Sequence, residues 1–259
     1  AVYLENDDIT ELLLIHKANP EIKDNEYFTP LITAILGNDR EIVKILLYYG
    51  ANVETPGCES NWSPLQVAVN EGHREITRLL LEFGANTNKV YDEESLSALD
   101  IASTNDDVEM MTLLLDYRAL INNTQYANCS PIHLAVFYDK YSATKLLLNY
   151  GSNIDHRDFS DNTILHIAVE KENIKIVKLI LEHSSHRKRL IINNIKNMYD
   201  CNRKELAKMN SNDEKYEQLK SEYLVKIHVA RGNTINLKDA YGRSPLHISV
   251  INNNEDIAK

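Results

Sequence analysis

TPLITAI (29–35), SPLQVAV (63–69), SALDIAS (97–103), SPIHLAV (130–136), TILHIAV (163–169) and SPLHISV (244–250) are one pattern written six times. Their starts lie 34, 34, 33, 33 and 81 residues apart. A second apolar run follows each of the first five: EIVKILL (41–47), EITRLLL (75–81), EMMTLLL (109–115), SATKLLL (142–148) and KIVKLIL (175–181). A turn then closes the unit, as in YGANVE (49–54), FGANTN (83–88) and YGSNID (150–155). Self-similarity at a fixed period of this size is the signature of a repeat array.

Each letter has a physical task. The Ser or Thr can cap a first helix, and a proline after it occupies the first helical position, where a missing N–H costs nothing. Leu31, Leu65, Leu99, Ile132, Leu165 and Leu246 are expected to point into a stack, beside the small Ala34, Ala68, Ala102, Ala135 and Ala168. Gly50, Gly84 and Gly151 follow the second apolar run, where a helix end favours a left-handed residue. No single unit can bury its apolar face, so the units must stack into one continuous core.

Composition bounds the rest. The chain has 259 residues, 43% of them hydrophobic and 25% charged, enough for a sizeable core. A net charge of −10 argues against a nucleic-acid binder. Cys58, Cys129 and Cys201 are odd in number and far apart, which suits a reducing compartment better than a disulfide framework or a zinc site. No stretch approaches the ~20 apolar residues that span a bilayer, and no signal-peptide pattern opens the chain. The expectation is a soluble intracellular protein without a membrane or nucleic-acid partner.

The period, the proline-led start and the glycine turn resemble the ankyrin repeat. That resemblance implies an all-α ankyrin-repeat solenoid of stacked helix-turn-helix units joined by hairpin loops, one of them enlarged. It gives a single array over 1–259: a partial first repeat (1–28), five regular repeats (29–183), a divergent enlarged repeat with its following hairpin (184–243) and a truncated last repeat (244–259). The chain opens inside a first helix and stops early in a second one, so it is expected to be a fragment that continues past Lys259. The 48 residues of 184–231 carry 11 Lys or Arg against 6 Asp or Glu, a net +5, while the remainder is −15. Ile191, Ile195 and Met198, then Tyr216, Leu219, Tyr223 and Ile227, keep helical spacing, and SNDE (211–214) offers a helix start. A helical pair is predicted there.

Chemistry is sparse. His133, His166 and His247 recur at the fourth motif position, where Ile32, Gln66 and Asp100 also stand; the resemblance to ankyrin repeats implies a structural hydrogen-bonding role for this histidine, not metal binding. No nucleophile–base pair and no glycine-rich phosphate loop is present. The chain is expected not to be an enzyme and to take no cofactor and no metal. Asp24, Asp158 and Asp239 fall where the ankyrin pattern has an aspartate shaping the hairpin. The hairpin glycine of that pattern is kept at Gly242 and replaced by Tyr27, Asn61, Ser95, Asn128 and Asp161. Asn and Asp tolerate left-handed backbone better than most residues, but Tyr27 is a departure from the pattern, which leaves the geometry of the first hairpin open.

Partner-binding candidates are the aromatic residues Tyr27, Phe28, Trp62, Tyr91, Phe137 and Tyr138 and the basic run Arg187, Lys188 and Arg189. Trp62 and Phe28 directly precede a motif. Phe137 and Tyr138 end a first helix where other repeats hold Leu36-Gly37, Asn70-Glu71, Thr104-Asn105 or Glu170-Lys171, a position that is usually polar. Ankyrin arrays hold partners on hairpin tips and first-helix surfaces, and buried aromatic anchors dominate such interfaces. The basic run fits a solvated helix face or an acidic partner.

With 28 Asn, 25 Ile and 14 Tyr, and phrases such as YLENDDI, LLLYYGANVE and LLLNYGSNIDHRD, the chain resembles the ankyrin proteins of poxviruses. That resemblance implies a host-range or immune-evasion factor in the host cell cytoplasm. It would capture a host antiviral, interferon-induced protein as substrate receptor for a host cullin ubiquitin ligase, through a C-terminal F-box-like segment not present here. Two alternatives are sequestration without a ligase and a bacterial or parasite effector with an enzymatic domain beyond Lys259.

Overall fold

The computed structural model describes residue 2 and residues 6–57, 61–92, 95–185 and 238–251. The predicted helical pair at 184–231 and the basic run 187–189 lie almost wholly outside these residues. The chain divides into two compact units, residues 1–167 and 168–259.

The first unit is a run of short helices in alternating lengths. They are α1 (Asp7–Ile15), α2 (Pro30–Leu36), α3 (Arg40–Tyr48), α4 (Pro64–Asn70), α5 (Arg74–Glu82), α6 (Ala98–Thr104), α7 (Val108–Asp116), α8 (Pro131–Phe137) and α9 (Tyr141–Asn149). Helix α10 (Ile164–Glu170) spans the division between the units, and the second unit holds a helix over 174–185, α11, and α12 (Pro245–Ile251). No strand occurs among the described residues; the backbone bridge Gly57–Trp62 is isolated.

Local chemistry sets these boundaries. Thr29, Ser63 and Ser97 accept from the backbone N–H three residues on, and Pro30, Pro64 and Pro131 sit at the helix start. Asp39 and Asp107 cap α3 and α7 in the same way. Each such cap contributes about 1 kcal/mol. At the C-terminal ends Gly50, Gly84 and Gly151 take φ near 89°. Lys17 and Arg118 occupy the same place with φ 66°, so the turn survives without glycine at a modest strain.

Within the first unit the first helices pack side by side, α2 on α4, α4 on α6 and α6 on α8. Leu31, Leu65, Leu99 and Ile132 are almost fully buried, and Ala34, Ala68, Ala102 and Ala135 are sealed between neighbouring helices. Alanine permits that close approach. Leu246 departs from the expectation: its side chain is 55% exposed.

A polar ladder joins successive repeats. Glu21 Oε1 accepts from Asn52 N (2.8 Å), Glu54 Oε1 from Asn86 N (2.7 Å), Asn88 Oδ1 from Leu120 N (2.7 Å) and Asn122 Oδ1 from Asn153 N (2.9 Å). Asn19, Asn52, Asn86 and Asn153 each accept from the N–H two residues on, which shapes the turn presenting these donors.

Candidate partner-binding surface

The hairpins that connect the helix pairs are built on aspartate. Asp24 Oδ1 accepts from Glu26 N and Phe28 N at 2.9 Å each. Asp158 Oδ1 repeats this with Ser160 N and Asn162 N, and Asp239 Oδ1 with Tyr241 N and Arg243 N. These are the three aspartates singled out in the sequence. The first hairpin, left open by Tyr27, keeps the same turn as the others. Tyr27 takes φ 65°, alongside Asn61 (52°), Asn128 (54°), Asp161 (62°) and Gly242 (74°). The two hydrogen bonds to Asp24 hold the turn, and the tyrosine ring, 60% exposed, meets no obstacle in solvent.

The candidate rings do not form one cluster. Tyr27 and Phe28 are neighbours, but only Tyr27 faces solvent; Phe28 lines an apolar groove of about 310 Å³ with Leu13, Leu14, Ile22 and Pro30. Trp62 is half-buried, and its carbonyl accepts from Gly57 N at 3.1 Å. That hairpin lies tight on the preceding repeat, because a Cβ on Gly57 would come within 2.7 Å of Ile32 Cγ1. Tyr91 is committed within the chain: its hydroxyl donates to the Glu54 carbonyl, and Lys89 Nζ lies 4.9 Å from its ring centre.

Phe137 and Tyr138 are the adjacent candidate pair in which both rings are exposed. They end α8, 48% and 54% exposed, in an edge-to-face contact with ring centres 5.1 Å apart. Helix α8 starts at its hairpin with Ser130, so these rings sit at its far end, about 10 Å from the hairpin at 1.5 Å per residue. The sequence places this pair at the end of a first helix, and α8 ends there.

The repeated fourth motif position is a hydrogen-bond relay. His133 Nδ1 accepts from Ser130 Oγ (2.7 Å), with Ser130 N at 3.4 Å. Its Nε2 lies 3.2 Å from the His156 carbonyl of the next hairpin. A carbonyl can only accept, so the Nε2–H tautomer is the one that fits. Gln66 does the same work, accepting from Ser63 N (2.7 Å) and donating to the Leu96 carbonyl (2.6 Å). His166 and His247 likewise face Thr163 and Ser244 through Nδ1, at 2.8 Å from each hydroxyl. Asp100 accepts from Ser97 N (2.9 Å) and Ser97 Oγ (2.6 Å), but its Oδ1 is buried without a partner. Burial pushes the Asp100 carboxyl up to about 6, against the pull of its bonds from Ser97. Burial lowers His133 to about 4. Both departures have structural causes, and among the described residues no group of three or more His, Cys, Asp or Glu is placed to hold a metal ion.

A further ring escaped the sequence reading. Phe159, directly after the hairpin aspartate Asp158, is 86% exposed. The signal available was its place beside that aspartate.

A family model described as "Ankyrin repeats (3 copies)" matches residues 1–91, 56–125 and 99–190. No curated protein matches the chain. The crystal structure of the human ASB11 ankyrin repeat domain is similar, with a TM-score of 0.64 and 20% sequence identity, over 96% of this chain and 89% of that chain. At that identity the likeness speaks for the fold alone.

Proposed function

This chain belongs to the ankyrin-repeat family, a protein-binding and typically non-enzymatic scaffold, and from that premise we propose that it is the capture module of a viral host-range factor that holds a host antiviral protein. The observation that carries the capture reading is the Phe137–Tyr138 pair, two large exposed rings where most other repeats have polar residues. The Asn- and Ile-rich composition supports the viral source. The captured protein is an interferon-induced effector in the host cytoplasm, and Arg187, Lys188 and Arg189 speed its arrival by attracting acidic surface. A host cullin ubiquitin ligase, recruited through a further segment, then removes it.

The test is a pull-down from interferon-treated cells with wild type and Phe137→Ala/Tyr138→Ala. The double variant is expected to lose the captured protein while keeping its helical circular dichroism. Full retention would place the anchor elsewhere. In the full-length protein, a captured partner whose level stays constant would replace degradation with sequestration.

A further inference from the structure

Two hairpins already hold a cation of this chain between a ring and a carboxylate. Lys89 Nζ lies 4.9 Å from the Tyr91 ring centre and 3.4 Å from Glu54 Oε2. In the second unit the Arg243 guanidinium lies 4.8 Å over Tyr241, and its Nε donates to Asp239 Oδ2 at 2.7 Å. A ring supplies the negative face of its quadrupole and the carboxylate supplies charge, so a Lys or Arg side chain is held by both.

The same parts stand without that cation in two hairpins of the first unit. Phe159 is flanked by Asp158 and Asp161, and the neighbouring Arg157 turns to Asp161 at 2.7 Å. Tyr27 stands next to Glu26 in the hairpin turned by Asp24. Among the described residues no cation of the chain is recorded over either ring. The surroundings are acidic: the described residues of the hairpin segments, 19–28, 52–57, 61–62, 86–92, 95–96, 120–129 and 153–162, carry 8 Asp or Glu against 3 Lys or Arg, a net charge of −5.

We propose that the hairpin rim of the first unit binds a basic, extended segment of a partner protein, whose Lys or Arg side chains stack on Phe159 and Tyr27 between the flanking carboxylates. The proposal rests on the protein-binding reading of the array and is independent of the Phe137–Tyr138 anchor. Four repeats separate the two rings, roughly 40 Å at about 10 Å per packed helix pair. An extended chain at about 3.3 Å per residue needs about 12 residues to reach both.

The experiment is a fluorescence-anisotropy titration of the protein with three labelled 14-residue probes of alternating Arg–Ser, Gln–Ser and Glu–Ser. The Arg–Ser probe is expected to bind, and the other two not. Phe159→Ser should weaken it about threefold to fivefold, the size of one exposed cation–π contact. Tyr27→Asn with Phe159→Ser should weaken it about tenfold; Asn is the residue that Asn61 and Asn128 supply at the same left-handed position. Glu71→Gln with Glu75→Gln removes charge from the end of α4 and the start of α5, away from the rim, and should change affinity less than twofold. Phe137→Ala/Tyr138→Ala should leave probe binding intact, which separates this surface from the capture anchor. Equal binding of the Gln–Ser probe, unchanged affinity in Phe159→Ser, a loss in the Phe137–Tyr138 variant, or an equal loss in the Glu71–Glu75 variant would overturn the proposal.

Discussion

Asp100 and His133 stand at the same turn of successive repeats, the third residue of α6 and of α8, and both are buried behind a serine cap. His133 looks both ways, accepting from its own cap and donating to the His156 carbonyl. Asp100 looks only back, and its second oxygen is left alone. The difference teaches what the position needs: an acceptor toward the cap and a donor toward the next hairpin. Histidine and glutamine supply both. An ionised aspartate supplies one, and becomes adequate only when it keeps its proton.

The largest break in this comparison is to make the fourth repeat like the third. His133→Asp removes the donor to His156 and buries a second carboxylate, leaving unpaired polar groups at a cost of about 3 kcal/mol. A lowered urea midpoint at pH 7, followed by circular dichroism, checks it; an unchanged midpoint would mean that the inter-repeat bond contributes nothing.

The reverse change should sharpen the comparison with the opposite sign. A folded-state value of about 6, above the ordinary 3.8, means that the Asp100 contribution is complete below pH 3.8 and is lost as pH rises through 6. Asp100→Asn, neutral and carrying its own donor, is therefore expected to gain about 2 kcal/mol at pH 7 and little at pH 4. Urea midpoints at the two pH values decide it, and a gain of equal size at both would sink the titration argument.

His133 runs against Asp100 across the same window. Its folded value of about 4 lies below the ordinary 6.5, so its contribution is present above pH 6.5 and is lost as pH falls through 4. Between pH 4 and 6 the two slopes oppose each other and flatten the wild-type profile. Asp100→Asn removes one of them. The variant should lose stability more steeply than wild type on acidification, by about 1 kcal/mol per pH unit, as melting temperatures across that window would show.

The relay was half legible in the sequence. Recurrence at a fixed distance from a capping Ser or Thr marked His133, Gln66 and Asp100 as one position, because capping is local chemistry within four residues. The forward bond was not legible, since His133 reaches a backbone carbonyl 23 residues away that carries no side-chain signature. Tyr91 hid its role for the same reason, its partner being the carbonyl of Glu54. Tyr27 left its hairpin open: its type argues against a left-handed turn, yet Asp24 imposes one through two backbone bonds. The apolar period and the helix starts and stops were readable throughout the described repeats, because spacing and caps are encoded where they act.

The finest test applies one substitution to both sites. Ser97→Ala and Ser130→Ala each remove a hydroxyl that bonds to the third helical residue, at a cost of about 1 kcal/mol. The consequences for titration differ. Ser97 donates to Asp100 Oδ2, which favours the ionised form, so its loss drives the Asp100 carboxyl further above 6 and enlarges the stability lost between pH 4 and 6. Ser130 donates to the unprotonated Nδ1 of His133, which favours the neutral form, so its loss returns His133 toward its ordinary value and narrows the acid-side loss. The same deletion thus moves both groups upward, away from the ordinary value at Asp100 and toward it at His133. Carbon-13 titration of the Asp100 carboxyl and the His133 ring in the two variants reads the shifts directly. A downward shift at either residue would mean that the serine hydroxyl is not the group that sets its protonation.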